Sequence, residues 1–151
     1  MSTPIATAAR FPSEYGQTDE SVADLLPWDE VAARIAAARN YLLATTTATG
    51  VPHVRPVDGV FVEGALCFGG SPQTRWVRHL HDRPAVSVAL PDDDDAVIIE
   101  GDAVLVTDGD LPVAQAMGRA NREKYPQYFA EEGGPPLLPF WCLAPRRVFA
   151  W

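Results

Sequence analysis

The chain has 151 residues, 47% of them hydrophobic and 21% charged, which fits one domain able to bury roughly 70% of its unfolded surface. Its net charge of −8 and sequence pI near 4.7 exclude an extended nucleic-acid footprint and a polybasic membrane contact, since both need clustered Lys and Arg. Eleven of the twelve basic residues are arginine; Lys124 is the single lysine.

Residues 1–26 carry Pro4, Pro12 and Gly16 among polar residues and read as an arm, either flexible or laid across a partner surface. The domain proper runs over 27–151. Pro27 and Trp28 open a helix with Asp29 and Glu30 in its first turn, where acids suit the dipole; Val31, Ile35 and Ala38 give it an apolar face. Tyr41 to Thr47 is apolar and β-branched, so it reads as a strand. Thr49-Gly50 makes a hairpin turn. Val51 to Val62 is a longer strand in which Pro52, Pro56 and Gly59 mark bulges or a close ligand approach. Glu63-Gly64 turns the chain again, and Ala65 to Phe68 completes an antiparallel meander.

Gly69-Gly70-Ser71-Pro72 breaks the meander. Gln73 to Asp82 is predicted helical, with Val77 and Leu80 inward. Ala85 to Leu90 is a strand, Asp92 to Asp95 a solvated turn, and Ala96 to Thr107 a long strand with a bulge at Gly101. Asp108 or Asp110 is expected to cap a helix reaching about Tyr125, with Val113, Met117 and Ala120 on one face. Gly133 to Pro136 ends a loop, and Phe140 to Trp151 is the last strand, interrupted at Pro145. Six or so short strands with two or three helices predict a closed or split barrel. The tight turns exclude a parallel doubly wound sheet.

Cys67 and Cys142 lie far apart among apolar neighbours and read as two buried, reduced thiols. The first ten residues lack a leader pattern, and no window approaches the ~20 apolar residues of a membrane span; a cytoplasmic protein is expected. No metal site is expected: His79 and His81 are two apart on a helix and point in different directions. Asp92 to Asp95 lacks the Gly and terminal Glu of a Ca²⁺ loop. Ser71 has no adjacent base, and no residue stands out as a catalytic acid or base.

Two segments carry binding chemistry. Along the strand after Gly50, His53, Arg55 and Val57 share one face, and Val54 and Pro56 the other. An arginine there either pairs with an acid such as Glu100 or meets an anion. Phe68-Gly69-Gly70 then permits close backbone approach. Thr74 and Arg75 lie near a helix N-terminus, where free N–H groups favour a phosphate, and Arg78 follows one turn later. The alternative for this second segment is a capping threonine with surface arginines.

The ordered set Trp28, Tyr41 to Thr45, Gly50 to Val57, Gly64 to Phe68, Thr74 to Leu80, Val97 to Gly101 and Pro145 to Trp151 resembles the pyridoxamine 5′-phosphate oxidase-like, flavin- and deazaflavin-binding split-barrel proteins, in their small actinobacterial-type branch, over roughly residues 26 to 151. The resemblance implies a mainly β fold with α: a six-stranded antiparallel split β-barrel with two or three flanking helices. It also implies a homodimer with two cofactor sites at the subunit interface. By analogy, Val54, Arg55, Pro56 and Val57 lie along the ring of FMN or coenzyme F-420. Phe68, Gly69, Gly70, Thr74 and Arg75 hold its ribityl and phosphate end, with help from Arg78. Trp141, Arg147 and the Lys124-Tyr125 helix end face the substrate or the partner subunit.

Two residues depart from the family's common pattern: Trp76 stands where lysine usually follows the arginine, and His79 where asparagine precedes leucine. Trp76 offers no charged donor; it either stacks on the ring or fills the pocket. The implied activity is hydride transfer between a reduced cofactor and a small organic substrate. Two alternatives remain: a flavin, deazaflavin or haem binding protein without turnover, and a family member that has lost its cofactor.

Overall fold

The computed structural model describes residues 6–7, 26–91, 96–129 and 137–150. Nine strands and three α-helices follow in chain order among them. They are β1 (Ala6–Thr7), α1 (Trp28–Ala37), β2 (Tyr41–Thr46), β3 (Pro52–Val57), β4 (Val60–Val62), β5 (Ala65–Gly69), α2 (Arg75–Asp82) and β6 (Ala85–Ala89). After them come β7 (Val97–Val106), α3 (Pro112–Lys124), β8 (Phe140–Leu143) and β9 (Arg147–Ala150). A short 3-10 turn, Pro126–Tyr128, follows α3.

The main sheet order is β3-β2-β6-β7-β8-β5-β4, with β9 on β7 and β1 on β9. Every pairing is antiparallel except that of β1 with β9. This curled antiparallel sheet is a split barrel, as the sequence predicts. The strand count exceeds six because two long segments are interrupted and β1 is added from the expected arm. Asp58-Gly59 separates β3 from β4, and residues 144–146 separate β8 from β9. The backbone packs closely at both corners. A Cβ on Gly59 would come within 2.9 Å of the Cys67 carbonyl and 3.2 Å of the Tyr41 ring. A Cβ on Gly101 would come within 2.9 Å of the Ala144 carbonyl. Glycine is what lets the backbones close at these corners.

Local chemistry sets the turns. Gly50 sits at φ +87, and its N–H donates to the Thr47 carbonyl at 2.9 Å. Glu63 and Gly64 both take positive φ in the two-residue turn joining β4 to β5, the backbone a tight hairpin requires. The α3 cap differs from expectation: Leu111 occupies the N-cap, no side chain caps the helix, and Pro112 starts it. Asp108 instead accepts the Asp110 N–H at 2.9 Å, closing a local turn before the helix; proline at the first helical position has the φ a helix start needs and one fewer orphan N–H.

The core has two parts. Inside the curl, Leu43, Phe68, Trp76, Leu80, Ile99, Leu143 and Val148 pack together. On the other face of β5 and β8, α3 lays Met117 and Tyr125 over Val60, Cys67, Phe140 and Cys142. Cys67 and Cys142 are free, buried and directly opposite each other on β5 and β8, in keeping with reduced thiols. No helix among the described residues is long and apolar enough to cross a membrane. The expected Asp92 to Asp95 turn, the Gly133 to Pro136 loop, the end of the last strand at Trp151 and all of the expected arm but Ala6–Thr7 and Leu26 lie outside the described residues.

Candidate functional site at the open edge of the barrel

Strand β3 is an edge of the sheet and is exposed along most of its length. Its neighbour β2 alternates buried and half-buried, while Pro52, Val54, Arg55 and Pro56 of β3 are all exposed. Register explains the geometry. Thr45, Leu43 and Tyr41 stand opposite His53, Arg55 and Val57, so these six side chains share the inner face of the curl. Val57 is buried there beside Tyr41. Toward the other end α2 covers Thr45 of β2, while Arg55, on the edge strand opposite buried Leu43, is exposed. Val54 and Pro56 lie on the outer face, where Val54 is 59% exposed.

Helix α2 borders this edge. Its Arg75 and Arg78 are exposed, while Trp76, Val77, His79 and Leu80 are buried. Thr74 occupies the N-cap without capping: its hydroxyl donates to the Ser71 carbonyl at 2.7 Å. The first-turn amides of α2 therefore receive no side-chain oxygen, the condition under which a helix start attracts an anion. Among the described residues, Arg55, Arg75 and Arg78 form no ion pair. Glu100, the acid that could have neutralised Arg55, is held by Arg147 at 2.8 Å.

Two histidines complete the row. His79 is 6% exposed, and its Nδ1 lies 2.9 Å from the hydroxyl of Thr45. The His53 ring meets it edge-on, centroids 5.6 Å apart. Burial holds the His79 imidazolium below the ordinary histidine range, and the positive charges of His53, Arg75 and Arg78 push it the same way against Asp82. The sequence pattern placed His53 on the Arg55 face. Nothing in it linked His79 to Thr45, because the two are 34 residues apart and meet only through the packing of α2 on β2.

The remaining expected site residues fall in different surroundings. Phe68 is fully buried, and Trp76 packs on it with ring centroids 5.9 Å apart. Gly69 and Gly70 are exposed at the end of β5, but any Cβ on Gly70 would run into the Trp76 indole. The space that Gly70 opens is thus filled from inside by Trp76. Trp141 is buried against His81, centroids 5.1 Å apart.

The Lys124-Tyr125 end of α3 turns inward. The Lys124 Nζ donates to the Tyr41 hydroxyl at 2.9 Å and to the Gly59 carbonyl at 2.8 Å. Tyr125 Oη donates to the Arg39 carbonyl at 2.7 Å and accepts the Gly59 N–H at 3.0 Å. Burial lowers the Lys124 pKa to about 8; Asp58 opposes that shift and Arg39 adds to it.

A cavity of about 490 Å³ lies beyond β5, between Phe68–Pro72, Met117 and Asn121 of α3, Tyr128 and Leu137–Pro139. It shares the end of β5 with the basic opening but none of the three unpaired arginines. Its acid, Asp58, is already bonded to Asn40 and Tyr128, each at 2.7 Å. The unpaired arginines stand on β3 and α2, outside this mostly apolar cavity. No metal-binding cluster of His, Cys, Asp or Glu occurs among the described residues.

The sequence profile of the pyridoxamine 5′-phosphate oxidase family matches residues 27–151. No match was found among curated proteins. Among solved structures, a conserved hypothetical protein of Mycobacterium tuberculosis aligns with a TM-score of 0.68 at 22% identity, covering 85% of this chain and 87% of that one. The haem storage protein HutZ of Vibrio cholerae aligns with a TM-score of 0.67 at 18% identity, over 80% of this chain and 92% of HutZ. An FAD-binding protein of Mesorhizobium loti gives a TM-score of 0.63 at 17% identity, over 83% of this chain and 94% of its own. At these identities the likeness establishes the shared fold.

Proposed function

The chain belongs to the pyridoxamine 5′-phosphate oxidase family, and on that premise we propose that it binds a phosphate-bearing flavin or deazaflavin, FMN or coenzyme F-420, at the opening between β3 and α2. One observation carries this reading. In a chain of net charge −8, Arg75 and Arg78 stand exposed on a helix whose start is uncapped, Arg55 stands exposed on the edge strand β3, and none of the three forms an ion pair among the described residues. Arg55, Arg75 and Arg78 suit a phosphate dianion through charge-assisted hydrogen bonds. The β3 segment Val54 to Val57 offers an extended, exposed rail for the ring. Phe68 and Trp76 form the floor beneath Gly69 and Gly70, and Thr74 sets the start of α2.

When bound and reduced, such a cofactor supplies a hydride to a small organic substrate. The protein's part is to hold the phosphate, orient the ring along β3 and shield it from water. A homodimer fits the same edge: β3 exposes Val54 at 59%, and Val51 just before it at 58%. A second copy covering that strand would wall two sites at the interface.

A carrier reading, in which the cofactor is held without turnover, draws on one feature of the opening. Among the described residues its charged groups are arginines and histidines, and the one carboxylic acid beside them is Asp82, which faces His79. The two readings separate in one experiment. Purified, cofactor-free protein is titrated with FMN and with coenzyme F-420, followed by fluorescence, and the loaded protein is then reduced and offered a panel of unsaturated and carbonyl substrates. Binding followed by reoxidation in the presence of a substrate supports the oxidoreductase. Binding without reoxidation supports the carrier. A folded dimer that binds neither compound overturns both and leaves a family member that has lost its cofactor.

A further inference from the structure

His79 lies on α2 one turn after Arg75, buried and edge-on to His53 of β3, yet has no part in the reading above. Its Nδ1 is committed to the buried hydroxyl of Thr45. A hydroxyl both donates and accepts, so this bond survives either protonation state of the ring. With Thr45 accepting from Nδ1–H, a protonated His79 has Nε2–H left to donate. Among the described residues the ring makes no other hydrogen bond.

The groups facing His79 are His53 from β3 and Arg75, Arg78 and Asp82 from its own helix; β2 contributes only the Thr45 hydroxyl. Arg55 lies two residues along β3 from His53 on the same face. Positive groups outnumber the single carboxylate, so the free protein disfavours one more proton here. A bound dianion reverses that field. The imidazole then gains a counter-charge as well as an acceptor.

Resting on the anion-site reading above, we propose that His79 is the titratable member of the site, taking up a proton as a phosphate-bearing ligand binds, so that the ligand is held more tightly as pH falls. The direction follows from linkage. Below the free-state pKa of His79 both forms are protonated, and His79 adds no pH dependence. Between the free and the bound pKa only the complex carries the proton, and affinity falls roughly tenfold per pH unit as pH rises. Above the bound pKa the dependence vanishes again.

The test uses the full chain and sulfate, which stays a dianion across the range. The three histidines (53, 79 and 81) are followed by NMR from pH 5 to 8 in sodium sulfate and in sodium chloride of equal ionic strength. Assignments come from His53→Asn and His81→Asn, so that no His79 variant is needed. Sulfate should raise the His79 midpoint by about one unit or more and leave His81, packed against Trp141, unmoved. Equal midpoints for His79 in the two salts would overturn the proposal, as would an equal shift at His81 or a shift confined to His53.

A second measurement compares FMN affinity against pH in the wild type and in His79→Asn. Dividing one by the other cancels the ionisation of the ligand's own phosphate, and the wild type should gain up to roughly tenfold per unit on acidification. Parallel profiles would overturn the proposal. Failure of FMN to bind at all, with His79 still shifted by sulfate, would sink the cofactor reading and leave the titratable anion site standing.

Discussion

Two polar clusters flank the same strand pair and have opposite fates. At the α3 end, Lys124, Tyr41 and Tyr125 tie the Gly59 corner to Ile35 and Arg39, with the Tyr41 hydroxyl donating to the Ile35 carbonyl at 2.6 Å. Each donor there has a partner within the fold. On β3 and α2, Arg55, Arg75 and Arg78 form no ion pair among the described residues. A closed network of this kind stabilises the fold, since leaving a buried donor or acceptor unmet costs about 1–3 kcal/mol. Unpaired cations stabilise nothing by themselves and are the groups available to a ligand. The contrast separates a lysine tied into the fold from arginines left without an ion pair among the described residues.

The largest effect that would sharpen this contrast is expected at the wall of the opening. Trp76→Lys replaces a side chain that is 3% exposed with a buried ammonium, and should cost about 3–5 kcal/mol of stability, read as urea unfolding. It should not tighten FMN binding. A variant that kept its midpoint and bound FMN more tightly would move position 76 out of the core and into the phosphate site.

Next comes a crossed pair. Arg75→Ala with Arg78→Ala should weaken FMN affinity on the order of 100-fold while shifting stability by no more than about 0.5 kcal/mol. Tyr125→Phe strips the partner from the Gly59 N–H and should cost about 1–3 kcal/mol of stability with affinity unchanged. If the arginine pair proved destabilising and Tyr125→Phe impaired binding, the assignment of the two clusters would be reversed.

The smallest effect is one of pH. Lys124 is lowered from 10.5 to about 8 in the fold, so between those values the unfolded chain binds the proton and the native one does not. Stability should therefore rise with pH across about 8 to 10.5 on account of Lys124. Tyr41 and Tyr125 are both raised above 10, burial being the main cause in each. They keep a proton that the unfolded chain has lost, and so oppose the rise above pH 10. Thermal unfolding of the wild type against Lys124→Met should show the difference flat below pH 8 and growing in favour of the wild type above it. A constant difference would mean that the ammonium titrates normally.

Much of this was legible in the chain itself. Alternating β-branched runs, positive-φ glycines at the hairpins and the Ala-rich first helix follow from local sterics and burial, which act over a few residues. So does the sharing of one face by His53 and Arg55, because strand side chains alternate with period two. The order of these segments also carried the family resemblance.

Contacts between distant segments were decided only by the tertiary structure. The sequence left Arg55 poised between an acid and a ligand; the pairing of β7 with β9 gave Glu100 to Arg147 instead. Trp76 was open between stacking on a ring and filling the pocket, and the packing of α2 on β5 buried it under Gly70. Lys124 looked available for a substrate or a partner, and the corner at Gly59 drew it inward. The physical reason is the same in each case. Backbone preference and face are set by neighbours in sequence, whereas whether a charge is satisfied depends on which group folding brings within about 3 Å, and that group is usually tens of residues away.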